Sequence, residues 1–377
     1  MELFLNILNY LFVLMVLYFF YYNKKINLLL LLIFAISTLS VFFAGRLATA
    51  SAMPDVIIYT FIAERIRSLE FNFSYSNLSV FTGPLPFTKE KFVFDPSFNA
   101  AFILTAIPIP FIANYISLGF SNKLIYLLTF IFLHTKKAFS NVSFAMYLFC
   151  PSIVLYTSVG LKDTLVLVLS CLCGYFLVAK KYIYLLVCIA ILCTFKYTNG
   201  VLLILTFISY FVLFVIKDKK LKNLIIIIGF IAILIFLYFF GYKIINTLDI
   251  IREAQWYADG MKVPYKLSFD IYLFPEILEG LLRFYLRPFI FEITNNQQLF
   301  QSMENIFVLV ILFLTYINCR KINKNRALFW LLVLISMSTI YGLTVSNLGT
   351  ITRYRFPLIM FYIFTCFYDC QLNAKKK

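Results

Sequence analysis

The chain has 377 residues, 62% of them hydrophobic and only 13% charged, with a formal net charge of +16. Its mean hydropathy is +0.90. A soluble domain is about half apolar and about a quarter charged, so a water-soluble globular protein is excluded. The apolar runs are continuous rather than alternating, which excludes a transmembrane β-barrel.

The class expected is an all-α polytopic integral membrane protein with about 11–12 transmembrane helices, one transmembrane domain over 1–377. In chain order, the first apolar run covers roughly 3–22. It ends in Asn23-Lys24-Lys25 rather than in a small-residue cleavage site, so it is expected to stay in the membrane. A second run lies at 26–44, and a long polar stretch follows at 45–97. Further runs lie at 98–119, 124–135, 141–160, 164–180, 182–196, 198–216 and 223–243. A second polar stretch, 244–304, precedes the last three runs at 305–319, 327–345 and 355–371.

Lysine sets the expected orientation. Lys24-Lys25, Lys180-Lys181, the cluster from Lys217 to Lys222, the stretch from Arg320 to Arg326, and Lys375-Lys376-Lys377 mark cytoplasmic ends. Counting between them puts 45–97 and 244–304 outside, as two large outer loops. The count fails once. Lys123 and His134-Thr135-Lys136-Lys137 both read as cytoplasmic, with a short apolar run between them. One of 98–119 or 124–135 is therefore expected to be re-entrant or strongly tilted, shielded by surrounding protein.

The two cations are distributed differently. Sixteen of the 23 lysines fall on the expected cytoplasmic side, whereas eight of the ten arginines fall outside: Arg46, Arg65, Arg67, Arg252, Arg283, Arg287, Arg353 and Arg355. A guanidinium offers a planar fork of donors that grips phosphate or carboxylate and does not lose its charge. The outer face thus reads as built for an anion, with Arg65, Arg67 and Arg252 expected to pair with outer acids instead.

Four places bring charge to the membrane on that side. Gly45-Arg46 follows the second run, with Asp55 nine residues on. In "PSIVLYTSVGLKD", Pro151 and Thr157-Ser158 precede Lys162-Asp163. In "FPEILEGLLRFYLRPF", Glu276, Glu279, Arg283 and Arg287 recur at helical spacing opposite Ile277, Leu281, Phe284 and Tyr285. That stretch, near 273–287, is expected to be an amphipathic helix lying in the outer interface, where its arginines would meet an anionic lipid headgroup. Internal Glu–Arg pairing is its simpler use. The fourth place is "SNLGTITRYRFP", with Arg353 and Arg355. In a helix these two point about 160° apart; they share a ligand only if Gly349 and Pro357 keep the backbone extended.

The eight cysteines lie in or beside apolar runs and are expected to be buried free thiols, with no metal site. No phosphate-binding glycine loop and no cofactor motif occurs, and no nucleic-acid partner is expected. The one histidine, His134, falls on the expected cytoplasmic side, which leaves outer carboxylates for acid–base work: Asp55, Asp95, Asp163, Asp249, Asp270, Glu276 and Glu279.

With "PSIVLYTSVGLKD" in mid-chain, "NLGTITRYRFP" before the last run and two outer loops, the chain resembles the O-antigen and capsule repeat-unit polymerases (Wzy-type). More distantly it resembles the wider GT-C type of lipid-carrier-dependent membrane glycosyltransferase. The resemblance implies a GT-C-like fold in the bacterial inner membrane, with its active site facing the periplasm. It implies polymerisation of undecaprenyl-pyrophosphate-linked oligosaccharide with release of undecaprenyl pyrophosphate. It implies no nucleotide sugar and a chain-length regulator as possible partner. The lipid pyrophosphate would be held by Arg353, Arg355, Arg283, Arg287, Lys162 and Arg46, and catalysis would fall to Asp163, Glu276 or Asp55. The related O-antigen ligases use a periplasmic histidine, which the expected outer loops lack. Two alternatives stay open: a GT-C enzyme using a polyprenyl-phosphate sugar donor, and a flippase for lipid-linked oligosaccharide.

Overall fold

The computed structural model describes residues 1–47, 54–68, 96–112, 114–258, 266–267, 270, 272–345 and 347–374. Among them every regular element is helical. Six helices are long and apolar enough to cross a membrane, over Glu2–Tyr22, Leu28–Gly45, Ser117–Thr135, Tyr197–Val215, Asn296–Ile322 and Lys324–Thr344. These are the features of a polytopic membrane protein. The chain forms two compact units, Met1–Gly200 and Val201–Lys377.

The first unit holds α1 (Glu2–Tyr22), α2 (Leu28–Leu47), α3 (Pro54–Arg67), α4 (Pro96–Ala106), α5 (Ser117–Thr135), α6 (Asn141–Phe149), α7 (Pro151–Tyr156), α8 (Asp163–Val178) and α9 (Tyr182–Phe195). The run 98–119 is not one helix. α4 stops at Ala106, ahead of Ile107-Pro108-Ile109-Pro110, because proline lacks the N–H a helix needs and disfavours helical backbone before it. Eleven residues at 1.5 Å each cannot cross a bilayer. The helix of spanning length here is α5, which takes in the end of that run, Lys123 and 124–135. Pro151 likewise divides 141–160 into α6 and α7.

Three helices end in the same way. Lys24, Lys137 and Lys180 adopt left-handed φ of 54°, 53° and 59° after α1, α5 and α8. Each closes a Schellman motif; Lys24 and Lys25, for example, donate to Tyr21 O and Phe20 O, both at 2.9 Å. Glycine is the usual occupant of such a position. Lysine here places a cation on the negative end of the helix dipole, at the ends read as cytoplasmic.

The second unit holds the end of α10 (Tyr197–Tyr210) with a π-helical turn (Phe211–Val215), α11 (Lys219–Ala258), α12 (Leu273–Leu286), a 3-10 turn (Ile290–Glu292), α13 (Asn296–Ile322), α14 (Lys324–Thr344) and α15 (Leu348–Ala374). The expected outer loop 244–304 is largely helical: α11 runs on to Ala258 and α13 begins at Asn296. α15 is the buried centre of this unit and packs against α12, α13 and α14. α12 meets α14 backbone to backbone. A Cβ on Gly280 would lie 2.9 Å from the Gly342 carbonyl, and one on Gly342 would lie 2.6 Å from Gly280 O, so neither position has room for a side chain.

Candidate functional site

In the first unit, the segment "PSIVLYTSVGLKD" is gathered against α5. Pro151 opens α7, and the turn after it packs directly on Gly119, where a Cβ would come within 2.4 Å of Ser158 O. The Asn122 amide donates to Val159 O (2.5 Å) and Leu161 O (2.8 Å), which holds the turn in place. One residue on, Lys123 is fully buried. Its Nζ donates to Thr157 Oγ1 (3.1 Å), Val154 O (3.3 Å) and Ser37 Oγ on α2 (3.3 Å). It also lies over the Tyr126 ring. No described carboxylate pairs with it. Lys123 is therefore an internal residue of α5 and not an exposed topology signal. Lys162 directly precedes α8, without a side-chain cap, and Asp163, buried, is its first residue, where a carboxylate meets the positive end of the helix dipole. Asp55 sits in the first turn of α3. Arg46 lies in the last turn of α2, and its side chain lies outside the described residues, as does Asp95.

In the second unit, α12 forms over Leu273–Leu286, within the expected 273–287, but the apolar face expected for it is turned inward: Phe284 is buried, and Ile277, Leu281 and Tyr285 are half-buried. Phe274, Leu278 and Leu282 make an exposed apolar stripe, while Gly280 and Phe284 are buried. Ile277 and Leu273 pack on Ile245, Leu267 and Leu343. Arg283 pairs with Glu279 at 2.6 Å and Arg287 with Glu292 at 3.2 Å, so the internal Glu–Arg pairing is present. Arg252 pairs with Asp249 at 2.8 Å, both buried, as expected for that arginine, and Asp249 also accepts from Leu267 N. Arg67 instead donates to the backbone oxygens of Ile109 and Pro110. Glu276 lies among these charges, with Oε2 buried and unpartnered. Burial pushes its carboxyl above the ordinary 4.5; Arg252 opposes the shift, while Asp270, Asp249 and Glu279 add to it. A carboxyl raised in this way is suited to take and return a proton.

The extended backbone that a shared ligand for Arg353 and Arg355 would require is not present over Leu348–Pro357. Leu348–Ala374 is one helix with Pro357 inside it, so Arg353 and Arg355 point to different sides of it. The local preference of Phe356 and Pro357 yields to the burial of a helix whose stretch from Arg355 to Cys370 is almost wholly in the core. Arg353 is half-buried. Arg355 is 1% exposed and donates to Phe284 O (3.2 Å), Tyr285 O (3.0 Å) and Asn305 Oδ1. The Asn305 amide donates in turn to Leu286 O (3.2 Å) and Arg287 O (2.9 Å). Together they take up the last carbonyls of α12, which no helical N–H reaches.

The structure thus groups Glu276, Arg283, Arg287 and Arg355 on and around α12, and Lys162 and Asp163 at the head of α8. Lys123, Asn122 and Asn305 are missed by sequence reasoning. Lys123 is visible as a site only once 117–135 is seen as one helix; nothing local marks Asn305. Comparison with protein-family models, with curated proteins and with solved structures returns no match.

Proposed function

We propose that this protein polymerises undecaprenyl-pyrophosphate-linked oligosaccharide repeat units at the periplasmic face of a bacterial inner membrane, releasing undecaprenyl pyrophosphate, on a GT-C-like scaffold. One observation carries the reading. α12 turns an apolar stripe outward, as a helix in a bilayer interface does, and holds beside it Arg283 and Arg287, each paired with a glutamate, and Glu276, whose Oε2 is buried and unpartnered. A lipid pyrophosphate lies at that depth. In the proposed step Glu276 takes the proton from the attacking hydroxyl of the incoming unit. The new glycosidic bond forms as the bond to the pyrophosphate oxygen breaks. Arg283 and Arg287 stabilise the charge on the departing pyrophosphate. Arg355 and Asn305 act as positioning residues by fixing the end of α12.

In cells lacking the gene, complementation tests the reading. Glu276→Gln and the double variant Arg283→Ala/Arg287→Ala are expected to reach the membrane in normal amount and yield only single-repeat product. Full-length polymer from both would overturn the assignment.

A second reading, a flippase for lipid-linked oligosaccharide, draws on Lys123, because a charge inside a spanning helix is a common feature of transport pathways. The third, a GT-C enzyme with a polyprenyl-phosphate sugar donor, would place its catalytic acid at Asp55.

A further inference from the structure

Cys319, near the end of α13, and Cys366 and Cys370, one turn apart on α15, come together in the core of the second unit. All three are buried, and their Sγ atoms lie within 4.8 Å of one another. Among the described residues this is the one group of three metal-binding side chains at ligating distance. Tyr362, one turn before Cys366, is buried beside these sulfurs, and its hydroxyl finds no oxygen or nitrogen partner. Asp369 is not available as a further donor. It accepts from Tyr210 Oη (2.8 Å), Trp330 Nε1 (3.0 Å), Asn373 Nδ2 (3.0 Å) and Arg326. Arg326 and Asp369 form an ion pair beside Cys370, so their charges there largely cancel.

We propose that Cys319, Cys366 and Cys370 form a binding site for monovalent copper. Three sulfurs with no histidine or carboxylate suit a soft cation. Copper(I) is complete with three thiolates, whereas structural zinc takes four ligands. Binding forms three S–Cu bonds and releases one proton from each thiol that ligates. The copper offsets part of the negative charge of the thiolates, and the Tyr362 hydroxyl is placed to donate to a sulfur.

The test uses the full chain, purified in detergent under reducing conditions and given copper(I) from a competing chelator, with zinc(II) in a parallel sample. The expected result is one copper per chain and an ultraviolet thiolate-to-copper band. Loss of a ligand should exceed the effect of losing a supporting contact, so Cys319→Ser and Cys370→Ser should each weaken binding by about 100-fold or more. Cys171→Ser, in the other unit, should bind as the unchanged protein does. No retained copper, unchanged binding in Cys319→Ser and Cys370→Ser, or zinc retained instead would overturn the proposal. Should the serine variants not fold, copper X-ray absorption on the unchanged protein decides: a sulfur-only shell supports the site, and a shell of nitrogen or oxygen overturns it.

Discussion

Arg355 on α15 donates to the side-chain oxygen of Asn305 on α13, and the two side chains divide between them the terminal carbonyls of α12. Arg355 takes those of Phe284 and Tyr285, and Asn305 those of Leu286 and Arg287. The partner expected for Phe284 O inside a longer helix is the N–H of residue 288, which is proline. A cation at this end also meets the negative pole of the helix. The pair therefore fixes where α12 ends and, with it, the setting of Glu276, Arg283 and Arg287.

Arg355→Ala should unfold far more readily than the unchanged protein. It leaves buried acceptors without donors, at about 1–3 kcal/mol each. Arg355→Lys should restore little, because one ammonium cannot span three acceptors in the fixed geometry of a guanidinium. Arg353→Ala, at a half-buried position, should retain its fold. Thermal melts in detergent check all three, and equal melting temperatures for Arg353→Ala and Arg355→Ala would contradict the capping role.

Gly280→Ala and Gly342→Ala should each force α12 away from α14, at a cost of about 1–3 kcal/mol for overpacking. The contacts a Cβ would meet, at 2.6–2.9 Å, are backbone atoms that cannot swing aside. Gly229→Ala on α11 meets nothing within 4 Å and should be neutral or stabilising by up to about 1 kcal/mol. The same melts report the contrast.

The class of the protein is plain in its sequence because burial in lipid demands long apolar helices, and composition records them. The α12 helix is equally plain, since a short amphipathic period carries its own signature. What is not legible depends on partners distant in sequence. Arg355 lies some 70 residues from the carbonyls it caps, and Gly280 some 60 from Gly342. Local rules also mislead where packing outweighs them. Pro357 reads as a helix stop yet sits inside α15, and Lys123 reads as a topology signal yet lies in the core. In both cases the surrounding helices supply more burial than the local preference opposes.

Lys123→Met should leave the protein as stable or more so. Removing a buried cation with only neutral acceptors relieves its desolvation, and the methionine fills the same space. A melt that is unchanged or higher, together with lost function in cells, would mark Lys123 as retained for activity rather than for folding. A melt lower by several degrees would show instead that its three hydrogen bonds hold α2, α5 and α7 together.

The raised carboxyl of Glu276 gives a pH signature. A group with a folded pKa above its unfolded value favours the folded state most at low pH, and that contribution fades as pH rises through the folded pKa. Stability compared with Glu276→Gln should therefore move in favour of the glutamine variant as pH climbs from below 4.5 towards neutrality. If Glu276 acts as base, the rising limb of activity should also lie above the ordinary glutamate range, and Glu276→Gln should lose it. Parallel stability curves at every pH would contradict the shift.

The central claim is tested most directly by reconstitution. The purified protein, in liposomes supplied only with undecaprenyl-pyrophosphate-linked repeat units, should produce chains of many repeats and release undecaprenyl pyrophosphate. Neither product should appear with Glu276→Gln. Movement of the lipid-linked unit across the bilayer with no new glycosidic bond would contradict the account and identify a flippase.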